Sequence, residues 1–260
     1  MPSHKNRIEN LKSNGYSLSF DSVLNLAFKN YKKIVLYAGL LFFVFAVVMA
    51  ILVSIVLINQ FGADQLEQIL KPENINPDNL KGDTKNIFLG ASVLVSVVLS
   101  PFMAGFIKMA YCADRDQEFH VSTIFEYYTS KHLFDLLLAT FIISTVNTGL
   151  PLLNEQPQFQ VVISIVSYLI LFMTFLTIPL IIFSNLKAIP AIKTSIQLFA
   201  KQPLALFALI LLAYVLSVVG FFVFYIGIFF TIPFLYAMHF ALYSEVVGFD
   251  LEKEQEIAEN

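Results

Sequence analysis

Between residues 204 and 243 the chain carries no Asp, Glu, Lys or Arg. As a single helix rising about 1.5 Å per residue, that run would be about twice as long as the ~30 Å hydrocarbon core of a bilayer. It must therefore fold back on itself. Gly220 and Gly227 bracket the segment FFVFYI and mark the turn, which predicts two short spans over 204–219 and 225–243. Composition supports the same setting: 57% of residues are hydrophobic, 27 are Phe, and only 13% are charged, more apolar than a water-soluble surface tolerates. The expected class is an all-α integral membrane protein.

Four further apolar stretches, 34–58, 87–110, 134–153 and 161–183, bring the expected number of transmembrane helices to six. Both termini then share one side. Placing them in the cytoplasm, with the 108–133 and 184–203 connections, puts 13 of the 16 basic residues inside and leaves only Lys71, Lys81 and Lys85 outside. Those three lie in the outer loop 59–86, which is rich in turn formers. The early basic residues precede no short apolar core with a small-residue cleavage pattern, so no removable signal peptide is expected. With Cys112 as the single cysteine, an internal disulfide and a cysteine-based zinc cluster are excluded, and a weak net charge of −3 gives no support for nucleic acid as a partner.

An internal repeat organises the spans. AIPAIKTSIQLFAKQP places Ile189, Ile192, Ile196 and Phe199 on one helical face and Lys193, Gln197 and Lys201 on the other. SFDSVLNLAFKNYKK, with Phe20, Leu24, Phe28 and Tyr31, and HVSTIFEYYTSKHLF are read as earlier copies of this amphipathic interfacial helix. The predicted fold is three parallel repeats of interfacial helix plus transmembrane hairpin. Its boundaries are an N-terminal segment 1–33, repeat 1 over 34–110, repeat 2 over 111–183, repeat 3 over 184–243, and an acidic cytoplasmic tail 244–260.

Each returning span contains a proline: Pro101, Pro179 and Pro233. Proline removes a donor and releases the carbonyl four residues back, which in lipid must find another partner. Thr177 and Thr231 stand two residues before Pro179 and Pro233, and Ser100 directly precedes Pro101, so nearby hydroxyls are expected to satisfy local backbone. Two readings follow. Either the bends are packing geometry in a six-helix bundle, or the bent helices splay to leave an inward-facing cavity lined by the prolines and their neighbours.

Catalytic chemistry leaves little trace. The span interiors hold no ionisable acid or base other than His239, while Lys108 and Asp135 sit at span ends. Zinc-protease, phosphate-loop and nucleophile-elbow motifs are absent. No catalytic residue, metal ligand or cofactor is assigned. Asn147, Asn185 and His239 are candidate polar contacts, and serines within spans, Ser54, Ser92 and Ser96 among them, are read as packing residues.

AIPAIKTSIQLFAKQP, followed by the apolar hairpin with Gly220 and Gly227 and then TIPFLYA, resembles a group of bacterial six-span proteins. These are the membrane-domain family named after glycerophosphoryl diester phosphodiesterase and the related YciC-like and DUF975-like families. The resemblance is clearest over 180–247. It implies a bacterial inner-membrane protein; the soluble catalytic domain that accompanies such a region in the phosphodiesterase relatives is not expected among the short polar stretches of this sequence, so no catalytic residues are carried over. Three functions are weighed: a non-enzymatic protein handling lipid or another apolar ligand; a scaffold with a membrane-protein partner at the interfacial helices, outer loop or acidic tail; and a membrane enzyme with histidine-bound metal. The first two are favoured.

Overall fold

The computed structural model describes residues 4–62, 82–153, 157–223 and 225–249. The described chain is all-α. Its helices are α1 (His4–Asn14), α2 (Phe20–Phe61), α3 (Gly82–Asp114), α4 (Val121–Phe125), α5 (Leu133–Gly149), α6 (Pro157–Met173), α7 (Thr177–Ser184), α8 (Ala188–Lys201), α9 (Pro203–Val219) and α10 (Gly227–Val246). Six helical stretches among these residues are long and apolar enough to cross a membrane, and they match the six expected from sequence. Most of the outer loop 59–86 and of the acidic tail 244–260 lies outside the described residues.

The helices traverse the bundle alternately, so one end collects α1, the starts of α2, α5 and α9, the ends of α3, α7 and α10, and the short helices α4 and α8. We call this the near end. Lys29 pairs with Asp114 there at 3.2 Å, and Lys33 with Asp116 at 2.6 Å. The Lys33 ammonium holds the Asp116 carboxyl below its usual range, but Asp116 is exposed and the pair fixes register more than it adds stability. Packing is dense at this end: Phe106, Tyr111, Phe183, Phe240 and Tyr243 are fully buried, and Phe249 folds back against Tyr111, Phe183 and Tyr243. At the far end the helices diverge and show apolar side chains outward, among them Val44, Val48 and Leu52 of α2 and Val161, Ile165 and Leu169 of α6.

The segments before the three hairpins take three different forms. The first is the opening of the continuous 42-residue α2, started by Ser19, whose Oγ accepts from Ser22 N at 3.3 Å. The second is one turn of α-helix, α4, followed by a 3-10 turn over Glu126–Tyr128. Only the third, α8, is a separate amphipathic helix. Of its apolar face only Phe199 is buried, with Ile192 and Ile196 half-buried and Ile189 exposed, while Ala188, Ala191, Ser195 and Leu198 pack against the bundle. In α2 the same choice recurs, with Val23, Ala27, Asn30, Ile34 and Ala38 inward and Phe20 and Phe28 outward. Small inward residues allow close helix approach, and a Cβ added at Gly39 would come within 2.6 Å of the Phe230 ring.

Prolines fall where the backbone has other partners. Pro101 lies inside α3, and Ser100 Oγ donates to Val97 O at 2.8 Å, the carbonyl that Pro101 releases. Pro233 lies inside α10, where Tyr31 Oη from α2 donates at 3.2 Å to Phe230 O, next to the released Phe229 carbonyl. Pro179 stands in the first turn of α7, where a missing N–H costs nothing, just after a break at residues 174–176 that separates α7 from α6. The break is closed from outside. Ser195 Oγ of α8 donates to Met173 O at 2.8 Å and accepts from Leu176 N at 3.1 Å.

α8 is itself held by a borrowed cap. Its N-cap, Lys187, offers no side-chain oxygen, and Asp135 of α5 supplies one: Ala188 N donates to Asp135 Oδ1 at 3.0 Å. Asp135 is 7% exposed, whereas the Lys187 side chain 3.4 Å from its other oxygen is open to solvent, so the cap outweighs the ion pair. The segment between α1 and α2 docks on α8 through Tyr16 Oη, which donates to Leu198 O at 2.9 Å and whose ionisation burial pushes far above the ordinary tyrosine range.

Gly220 and Gly227 do form the last hairpin. α9 ends at Val219, a 3-10 turn spans Gly220–Phe222, and a Cβ on Gly220 would sit 2.3 Å from Gly227 backbone.

Two outcomes follow for thermal unfolding of the purified protein. Ser195→Ala and Asp135→Ala each cost about 1–3 kcal/mol by leaving buried backbone groups unpartnered, whereas the exposed Lys193→Ala stays within about 0.5 kcal/mol. Gly220→Leu costs at least about 1–3 kcal/mol through overpacking, and an unchanged midpoint would show that the α9–α10 turn is looser than described.

Candidate functional site

A cavity of about 680 Å³ runs from the middle of the bundle toward its far end. Its floor is the break between α6 and α7, with Thr174, Phe175 and Thr177; Met103 and Ile107 of α3 and Tyr236 and His239 of α10 complete it. Its walls are α5, contributing Thr140, Ile143, Ser144, Asn147 and Thr148, and α6, contributing Ser164, Ser167, Tyr168 and Leu171. Tyr214 of α9 joins the floor beside Phe175, and Ser96 of α3 closes one side.

The arrangement follows from helical spacing. On α5, residues 140, 144, 147 and 148 recur at three and four positions and so share a face; on α6, residues 164, 167, 168 and 171 do the same. Both faces carry hydroxyls within otherwise apolar helices. They turn toward each other because polar groups are disfavoured on an apolar exterior.

Asp, Glu, Lys and Arg are all absent from the lining. The hydroxyls fall into two classes. Ser96, Ser144, Ser164 and Thr174 bond back to the carbonyl four residues earlier, at 2.6 to 2.9 Å. By contrast, Ser167 and Thr177 bury hydroxyls with no hydrogen-bond partner among the described residues, Thr177 at 1% exposure, and the side-chain polar groups of Asn147, Tyr214 and Tyr236 have none there either, although Tyr236 is 5% exposed. His239 stacks on Phe175 with ring centroids 3.6 Å apart, and its Nδ1 lies 2.9 Å from Leu235 O. A carbonyl only accepts, so Nδ1 carries the proton and the neutral ring keeps Nε2 as an acceptor.

The residues singled out from sequence divide clearly. Thr177, Asn147 and His239 line this cavity together. Pro101, Pro179 and Pro233 are buried in helix packing and do not line it. Thr231 lies elsewhere, its Oγ1 donating to Ser217 O at 2.6 Å and tying α10 to α9. Asn185 ends α7 in the left-handed conformation, φ 53°, which asparagine tolerates better than most residues. The cavity thus lies beyond the bends, toward the far end, and Ser96, read from sequence as packing, is part of its wall.

Sequence reasoning missed Tyr214, Tyr236 and the hydroxyl faces of α5 and α6. The signal was present as the three-and-four spacing of Thr140, Ser144 and Asn147 and of Ser164, Ser167 and Leu171. Among the described residues no three His, Cys, Asp or Glu side chains converge as a metal site would require; His120 lies by Glu118 on the surface and His132 packs by Tyr127. What the cavity can do chemically is hold an uncharged molecule, between walls that mix apolar side chains with hydroxyls and against unpartnered hydrogen-bonding groups at both wall and floor. No protein-family model, curated protein or solved structure matches this chain.

Proposed function

We propose that this chain is a multi-pass protein of the bacterial cytoplasmic membrane, with both termini in the cytoplasm, that holds a lipid or another apolar small molecule without catalysing a reaction on it. The cavity between α5, α6 and α10 carries this reading. Its volume lies in the range of small-molecule sites, and the absence of charge from its lining suits a guest drawn from the bilayer.

The membrane setting rests on the outward apolar side chains of α2, α6 and α9, an exterior that water would disfavour over so large an area. Orientation rests on basic residues, since Lys29, Lys33, Lys108, Arg115, Lys187, Lys193 and Lys201 all belong to the near end. Three parallel hairpin repeats remain the best description of the pattern. A proline on each returning helix and the small inward faces shared by α2 and α8 support it.

Native mass spectrometry of the gently extracted protein tests the function. Wild type retains a discrete apolar molecule, and Ser144→Trp, which fills the space between α5 and α6, lowers its occupancy by about tenfold or more. A wild-type protein that carries a stoichiometric protein partner and no small molecule would overturn this reading in favour of a scaffold.

A further inference from the structure

The floor of the cavity is more selective than its walls. Tyr214 and Tyr236 each bring a phenolic O–H with no hydrogen-bond partner among the described residues, and their rings belong to one aromatic group: Phe175 lies 6.2 Å from Tyr214, and His239 6.3 Å from Tyr236. His239 adds an acceptor, because its Nδ1–H is committed to Leu235 O. Below them Thr177 keeps a buried hydroxyl with no partner. The floor therefore presents hydroxyls that can donate or accept, and one group, His239 Nε2, that can only accept, within a single aromatic cluster and with no charge.

We infer that the cavity takes a neutral amphiphile whose head is a hydroxyl group, received by Tyr214, Tyr236 and His239. The inference rests on the cavity being a ligand site. A hydroxyl is the head that meets both halves of this floor, donating to His239 Nε2 while accepting from a tyrosine O–H. An ester or ketone can only accept and leaves the imidazole unmet. An ionised carboxylate or phosphodiester also only accepts, and any phosphate, a monoester included, brings a charge into a cavity whose lining has no Lys or Arg to balance it. An ammonium group donates but finds no carboxylate. The remaining volume mixes the apolar Ile143, Leu171, Ile178 and Leu235, which suit an acyl or isoprenoid body, with hydroxyls of α5 and α6, of which Ser144 and Ser164 are satisfied by their own helices.

The test keeps the body constant and changes the head. The full chain is titrated under native mass spectrometry with a 1,2-diacylglycerol, with the same molecule acetylated at its free hydroxyl, with the phosphatidic acid of identical acyl chains, and with a long isoprenoid alcohol. A free alcohol binds about tenfold tighter than the acetate or the phosphatidic acid. Preference for one alcohol over the other tells a glyceride from an isoprenoid. His239→Phe, which removes only the acceptor, brings the alcohol down to the affinity of the acetate while the acetate itself changes by less than about threefold; separately, the double variant Tyr214→Phe/Tyr236→Phe, which removes donors, weakens the alcohol and the acetate alike by about tenfold. The two variants alter different side chains, so a folding defect in one leaves the other to decide. Equal or tighter binding of the acetate or phosphatidic acid overturns the hydroxyl head while leaving a ligand site. An alcohol preference that survives His239→Phe, or affinities that the double variant leaves unchanged, overturns the assignment to the residues altered. Failure of all four probes on the wild type overturns the proposed function as well.

Discussion

A backbone group stripped of its partner inside an apolar bundle costs more than any single side-chain contact there returns, and the break between α6 and α7 creates two such groups at once. Ser195 meets both, giving its proton to Met173 O and receiving one from Leu176 N. It can do so only because α8 lies across the break, and α8 is set there by the Asp135 cap on Ala188 N. The sequence of dependence continues inward. The break orients Phe175, and Phe175 stacks on His239 at 3.6 Å. A carboxylate at the start of α5 thus reaches the floor of the cavity through one helix and one serine, without touching the cavity itself.

The three prolines show why one half of the bundle is solid and the other open. Pro101 and Pro233 sit in continuous helices whose disturbed carbonyl regions are served locally by Ser100 or across the bundle by Tyr31, and neither opens a gap. Pro179 instead starts a new helix after an interruption, and the cavity begins at that interruption. Near this level and below, Phe102, Phe106 and Tyr236 join face and edge in one aromatic assembly with Phe42. Above it, α5 and α6 meet through serine and threonine faces, whose short side chains cannot fill the space between diverging helices.

The six long helices were legible in the sequence because length without charge is a strong constraint, and Gly220 and Gly227 marked the last turn because a Cβ on either would collide with the other strand of the hairpin. The inward faces were not legible. Periodicity identified an apolar face on α8 and on the start of α2 suited to an interface, without saying which residues would pack against the bundle. Ala27, Ala38, Ala188 and Ala191 do so, because their short side chains let the helices approach closely. The site was half legible for a related reason. Thr177, Asn147 and His239 stood out as polar residues in apolar runs, yet the hydroxyls of α5 and α6 were discounted one at a time, and only their common face gives them meaning.

Why some of these polar groups lack partners has a local explanation. Serine and threonine inside a helix can bond to the carbonyl one turn back, as Ser144, Ser164 and Thr174 do; tyrosine, whose hydroxyl stands far from its own backbone, cannot. Thr177 could in principle bond to Met173 O, four residues earlier. That carbonyl already accepts from Ser195, and the Thr174 carbonyl, three residues earlier, accepts from the Thr177 N–H. Thr177 Oγ1 itself has no partner among the described residues, so an unsatisfied hydroxyl stands at the cavity floor directly beside the contact that closes the break.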